Sequence, residues 1–256
     1  MGLLLIFEGN MKWRLAFSLF LLSFFSEAQT LSPYSISWKQ DGWILGLGIP
    51  AVWASHQMED PSPLTYAEIA EVQNEADRLS GWDQWALDKY NVRAGVRSDI
   101  TLYSSLALAV STPLVQESSD AWWQQALVLG VLCAEVNALN YAATEFVKKS
   151  VQRPRPFVYG SSAPSGDYFS PDARKSFFSG HSSTAAANAV FFAKVWSDYH
   201  PHSKWKPWIW GLASALPLYT AWQRIEAGKH FPSDVLAGLA VGASLGYTIP
   251  LQHKKK

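Results

Sequence analysis

The apolar stretches of this chain set the first constraint on its fold. Gly42 to Met58, Ile100 to Gln116, Ser176 to Ala193, Pro207 to Gln223 and Val235 to Gln252 each run for about 17 or 18 residues without Asp, Glu, Lys or Arg. Ala121 to Ala134 is shorter and continues past Glu135. About 17 apolar residues is the lower limit for a helix that crosses the hydrocarbon core of a bilayer. No strand-like alternation or hairpin signal competes. The pattern predicts an all-α fold, a membrane-embedded bundle of about six core helices. Ser, Thr, Asn and Gly punctuate the stretches, and mean hydropathy is only −0.03. The same segments therefore also suit the buried helices of a soluble bundle.

Composition narrows the classes further. Lys plus Arg equals Asp plus Glu at 21 each, which leaves no electrostatic footprint for nucleic acid. Charged residues make up 16 % of the chain, against roughly 25 % in soluble domains. Trp38, Trp43, Trp122, Trp123, Trp205, Trp208 and Trp222 fall near the ends of apolar stretches, where an amphipathic ring suits a membrane interface. Cys133 is the single cysteine and lies in an apolar run, so it reads as a small buried hydrophobe. Glu59 to Asp99 is polar and reads as solvated surface helices, with helical character over Tyr66 to Leu79. Lys12 and Arg14, then Leu15 to Phe25, then Ser26-Glu27-Ala28 compose a signal peptide or an N-terminal anchor over residues 1–28. Residues 29–256 then form a single helical domain.

Three polar stretches of the second half carry chemistry. In the first, Lys148 stands near the end of a helix that Pro154 and Pro156 stop, so Lys148 and Arg155 can turn toward one point. In the second, Ser176 to Thr184 places small hydroxyl residues ahead of the run Ala185 to Ala193, a helix start. Free N–H groups and the positive dipole end make such a start an anion site. Gly180 lets backbone approach an oxyanion, and His181 adds a proton that titrates near neutral pH. In the third, His230 and Asp234 are four residues apart. On a helical turn that carboxylate reaches one ring nitrogen, fixes the tautomer and leaves the other nitrogen as a nucleophile. Pro232 suits the first turn of the helix that follows.

Together these residues resemble the superfamily of type 2 phosphatidic acid phosphatases, bacterial class A acid phosphatases and vanadium haloperoxidases. Its pattern K-x6-R-P, P-S-G-H, S-R-x5-H-x3-D is met here by Lys148 and Arg155-Pro156, by Ser179-Gly180-His181, and by Arg224, His230 and Asp234, in order. The intervening gaps are 157–178 and 182–223, and the match spans about a third of the chain. Phe178 stands in place of the proline and Gln223 in place of the serine, which leaves substrate preference open.

The resemblance implies a phosphatase that needs no metal or other cofactor. His230 attacks phosphorus while Asp234 holds its ring. Lys148, Arg155 and Arg224 neutralise the phosphoryl oxygens, Ser179 and the Gly180 N–H donate hydrogen bonds, and His181 protonates the leaving oxygen. The implied substrate is a phosphorylated lipid, with a small phosphate ester and a soluble periplasmic acid phosphatase as the alternative; no protein partner is indicated. Membrane members of the superfamily keep this site outside the cytoplasm. Counting back from Lys254 to Lys256 inside puts His230, Asp234 and Lys148 on that same outer face. One apolar segment then remains too many at the front. Either Leu15 to Phe25 is an anchor and Gly42 to Met58 does not cross, or the reverse holds, or the protein is exported.

Overall fold

The structure is a computed structural model that describes residues 32–116 and 121–255, without the side chains at 38–40, 43, 45 and 47. The expected signal or anchor over 1–28, and the side chains of Trp38 and Trp43, lie outside the described residues. Six long helices form the body: α1 (Trp38–Gln57), α2 (Val92–Val110), α3 (Trp122–Val151), α4 (Gly180–Tyr199), α5 (Lys206–Glu226) and α6 (Pro232–His253). No strand occurs among the described residues; a single bridge joins Tyr34 and Lys254. Each apolar stretch within the described residues is thus helical over most of its length, and the fold is all-α as expected.

Helix boundaries follow local chemistry. α2 begins eight residues before its apolar stretch, at Val92, because the Asn91 side chain accepts a hydrogen bond from the Ala94 N–H (3.2 Å). α3 ends at Gln152 in the left-handed conformation (φ 49°, ψ 38°), ahead of Pro154, which cannot continue a helix. The buried Lys149 ammonium donates to the carbonyls of Ser55 and Met58 (3.1 and 2.8 Å), satisfying the C-terminal end of α1.

Contacts between helix ends fix their directions. Lys149 puts the ends of α1 and α3 together, and Thr220 and Arg224 of α5 bond Thr101 and Ser98 near the start of α2. The six helices therefore alternate, with the ends of α1, α3 and α5 beside the starts of α2, α4 and α6. At the opposite end, the Lys255 N–H donates to the Pro33 carbonyl (3.0 Å), so the two described chain ends meet there. Gly42 to Met58 falls almost wholly in α1, which packs against α3; Leu15 to Phe25 lies outside the described residues.

α4 is the central helix and packs on α2, α3, α5 and α6. Its contact with α6 is backbone on backbone. Gly238, Gly242 and Gly246 recur every four residues, and a Cβ on them would run into the carbonyl oxygens of Ser179, Ser183 and Ala187. α3 joins α4 through polar side chains: Asn137 and Asn188 exchange amide hydrogen bonds (3.0 Å each), and Asn140 donates to Thr184 (2.9 Å). Small residues and paired amides at helix contacts are what bundles use when apolar burial alone does not drive association. Among the described residues, two runs, Trp122–Tyr159 and Pro232–His253, are long and apolar enough to cross a membrane.

The glycine contact is testable. Gly242→Ala forces α6 away from α4, and overpacking of this kind costs about 1–3 kcal/mol. Gly130→Ala on α3, where an added Cβ meets nothing within 4 Å, serves as control. Thermal unfolding in detergent is expected to show a lower midpoint for the first and an unchanged or higher one for the second.

Candidate active site

The three polar stretches meet at one end of the bundle. Ser179 is the N-cap of α4: its Oγ accepts from the Ser182 N–H (3.3 Å), and its own N–H donates to the Asp234 carbonyl (3.0 Å). At Gly180 an added Cβ would lie 3.0 Å from Thr144 Cγ2 and 3.3 Å from Lys148 Nζ. The absent side chain is what lets the Lys148 ammonium rest against the start of α4. Gly228 (φ +68°) turns the chain between Arg224 and His230, in a position where any Cβ would strike the Lys89 carbonyl.

His230 lies in this turn and is 1 % exposed. Its Nδ1 donates to the Ser176 carbonyl (2.6 Å), so Nδ1 carries the proton. Nε2 bears the lone pair and has no hydrogen-bond partner among the described residues. Burial holds the ring well below its ordinary pKa, and the charges of Arg155, Arg224, Lys148 and His181 lower it further. The result is a neutral imidazole surrounded by cations, with one nitrogen free to act.

Asp234 does not hold that ring, contrary to the expectation from the four-residue spacing. Its Oδ2 is 3.8 Å from Nδ1. α6 begins only at Pro232, so His230 precedes the helix and the i,i+4 geometry does not apply. The carboxylate instead accepts from the Phe231 N–H (2.9 Å), the Ser176 hydroxyl (2.5 Å) and Arg153 (2.5 Å). Asp234 therefore positions Ser176, whose carbonyl orients His230.

The cations are held by groups outside the motifs. Arg155, 3 % exposed, donates to the Asp172 carbonyl and carboxylate (2.8 and 2.6 Å) and to the Lys229 carbonyl (3.1 Å). Partial burial raises the Asp172 carboxyl, but Arg155, Lys229 and Lys148 outweigh it and hold it below its ordinary value. Arg224 donates through one terminal nitrogen to Ser98 (3.2 Å), and its Nε is left without a partner among the described residues. His181 faces Asp99 of α2, Nε2 to Oδ1 2.8 Å.

Asp99, Asp172, Ser176, Arg153 and Asp83 were not marked as site residues by sequence. Asp83 is buried (5 % exposed) and binds Arg153 (2.8 Å) and the Ser233 N–H and hydroxyl (3.0 and 2.8 Å). It lies in the stretch Glu59 to Asp99, read as solvated surface. The only hint for Asp99 is its position as the last acid before an apolar stretch. Gln223, which departs from the family pattern, is buried with its Oε1 unpartnered among the described residues, and Phe178 is buried beside Phe177.

A neutral, partly unpartnered imidazole ringed by lysine and arginine on a helical bundle defines a class of phosphate-handling enzyme. The family model of the PAP2 superfamily matches residues 129–256, half of the chain, and covers every motif residue named above. The chain belongs to the PAP2 superfamily and is a PAP2-family phosphatase. Among solved structures, the first transmembrane PAP2 type phosphatidylglycerolphosphate phosphatase from Bacillus subtilis is similar at 20 % identity, covering 86 % of this chain and 98 % of that one, with a TM-score of 0.48.

The depressed His230 pKa links stability to pH. The unfolded chain takes up a proton on this ring near the ordinary value of 6.5, whereas the fold keeps it neutral. The unfolded state then binds more protons, so this contribution to stability falls as pH drops below 6.5, by at most about 1.4 kcal/mol per pH unit. Denaturant unfolding at pH 7 and pH 5 is expected to show a smaller loss for His230→Ala than for the unsubstituted protein.

Proposed function

We propose that this protein hydrolyses phosphate monoesters or diphosphates of lipid-linked substrates, without a metal, through a phosphohistidine on His230. The observation that carries this reading is the lone pair of His230 Nε2, buried and without a hydrogen-bond partner among the cations. Nε2 attacks phosphorus as the bond to the leaving oxygen breaks, and His181, its Nε2 held by Asp99, delivers a proton to that oxygen from its other ring nitrogen. Lys148, Arg155 and Arg224 balance the phosphoryl charge, while Ser179 and the Gly180 N–H donate to its oxygens. A water then gives its proton to His181 and its oxygen to phosphorus, releasing inorganic phosphate and restoring Nε2. Single preorganised donors of this kind contribute on the order of 3 kcal/mol to transition-state stabilisation, and proton transfer about 10²- to 10⁴-fold.

The outer surface supports a membrane setting. Large apolar side chains point outward (Trp53 66 %, Tyr103 68 %, Leu212 60 % and Leu236 50 % exposed), while Ser98, Ser105, Ser183 and Asn188 are buried between helices. That arrangement suits a lipid solvent better than water. Exposed Trp122, Trp123, Trp205 and Trp208 ring the end away from the pocket, and Trp82, Trp85 and Trp222 ring the pocket end. Along α5, Trp205 and Trp222 are about 26 Å apart by helical rise, close to the roughly 30 Å of a bilayer core. With Lys254 to Lys256 on the cytoplasmic side by the positive-inside tendency, the pocket faces out of the cytoplasm. A soluble periplasmic acid phosphatase is the second reading, favoured by there being only two helical runs, among the described residues, apolar enough to cross.

Phosphate release by the detergent-purified protein, briefly exposed to EDTA, tests the reading. Phosphatidic acid or prenyl diphosphate in micelles is expected to be turned over faster than a soluble aryl phosphate, and His230→Ala is expected to be inactive on all of them. Equal use of the soluble ester moves the assignment to the periplasmic enzyme. Normal turnover by His230→Ala contradicts the chemistry itself.

A further inference from the structure

The end of the bundle away from the pocket holds a second cluster that phosphate chemistry does not use. Asp41 in the first turn of α1, Glu135 midway along α3 and His253 at the end of α6 are 4 %, 1 % and 1 % exposed. One ligand atom from each lies within 4.8 Å of the others. Along α6, Asp234 and His253 are about 28 Å apart by helical rise, so the two clusters are separate.

The hydrogen bonding makes this more than a group of acids. His253 Nδ1 donates to the Ile249 carbonyl (2.8 Å), an orientation that protonates Nδ1 and turns the Nε2 lone pair outward. Nε2 faces Asp41 Oδ1 at 3.1 Å and Glu135 Oε2 at 3.5 Å. Neither Glu135 oxygen has a hydrogen-bond partner among the described residues. Two carboxylates and an imidazole lone pair converging in a buried space are mutually repulsive and costly to desolvate. Protons can answer the two carboxylates only as a pair, one on Nε2 and one shared between Asp41 and Glu135. A divalent ion neutralises both and bonds to all three groups.

We propose that Asp41, Glu135 and His253 bind one divalent first-row transition ion, of the Zn²⁺ or Mn²⁺ kind, that ties α1, α3 and α6 together. Imidazole with two carboxylates is a donor set such ions accept. Metal–ligand bonds of about 2.0–2.2 Å put neighbouring ligand atoms about 3–3.5 Å apart, the spacing His253 makes with each acid. Water fills the remaining positions. The ion is structural, lies far from His230, and takes no part in hydrolysis.

The test uses the full chain purified with no polyhistidine tag in chelator-free detergent. Metal content is read by mass spectrometry after incubation with Zn²⁺ or Mn²⁺ and desalting. One ion per chain is expected, lost in Glu135→Gln and in Asp41→Asn. The unfolding midpoint is expected to fall on prolonged chelation and to recover when the ion is returned. X-ray absorption of the loaded, unsubstituted protein is expected to report one imidazole nitrogen with oxygen ligands, and it decides the matter alone if the variants do not survive purification. A chain that retains no ion, variants that retain as much as the parent, or a spectrum with two imidazoles or sulfur overturns the proposal. None of these readouts depends on turnover, so this site stands or falls apart from the catalytic reading.

Discussion

The backbone contact between α4 and α6 is the constraint on which the pocket depends. Gly238, Gly242 and Gly246 bring the start of α6 against the start of α4, and the Ser179 N–H bonds the Asp234 carbonyl across that contact. The helix N-terminus carrying Ser179, Gly180 and His181 is thereby fixed relative to the turn carrying His230. Gly180 plays the matching role toward α3, since the space of its missing side chain is where Lys148 lies. Close helix approach, usually read as a packing device, is here what sets the distances within the candidate site.

A pocket holding Lys148, Arg155 and Arg224 beside a buried imidazole is electrostatically loaded before any substrate arrives. Asp172 and the Lys229 carbonyl hold Arg155, Ser98 holds Arg224, and Asp99 faces His181. Arg153, by contrast, bonds Asp83, Asp234 and Ser233 through its two terminal nitrogens, so it braces the loop. The excess positive charge is complementary to a phosphoryl group, and it adds to burial in keeping His230 neutral. The same cations that would bind the proposed substrate thus also favour the neutral form of the proposed nucleophile.

The fold was legible because each apolar stretch is long, free of charge and ended by proline, glycine or polar residues, so helices followed with errors only at their ends. α2 escaped at its front because Arg93, Arg97 and Asp99 break the apolar pattern while the helix continues through them. The motif residues were legible from their order and spacing, and Lys148, Arg155, Ser179, Gly180, His181, Arg224 and His230 do come to one end of the bundle. The partner of His230 was not legible, because the start of α6 at Pro232 decides whether Asp234 can reach the ring. Asp83, Asp99 and Asp172 act across 150, 82 and 17 residues of sequence, and no local spacing announces such pairs. Asp41, Glu135 and His253 were hidden for the same reason.

The most direct measurement is to mix the enzyme with a ³²P-labelled phosphate ester, stop the reaction in alkali within one turnover, and map the labelled peptide. A phosphoryl group on His230, stable in alkali and released by acid, is the predicted result. Label on another residue, or product formed in a first turnover with no labelled enzyme at any time point, would contradict it.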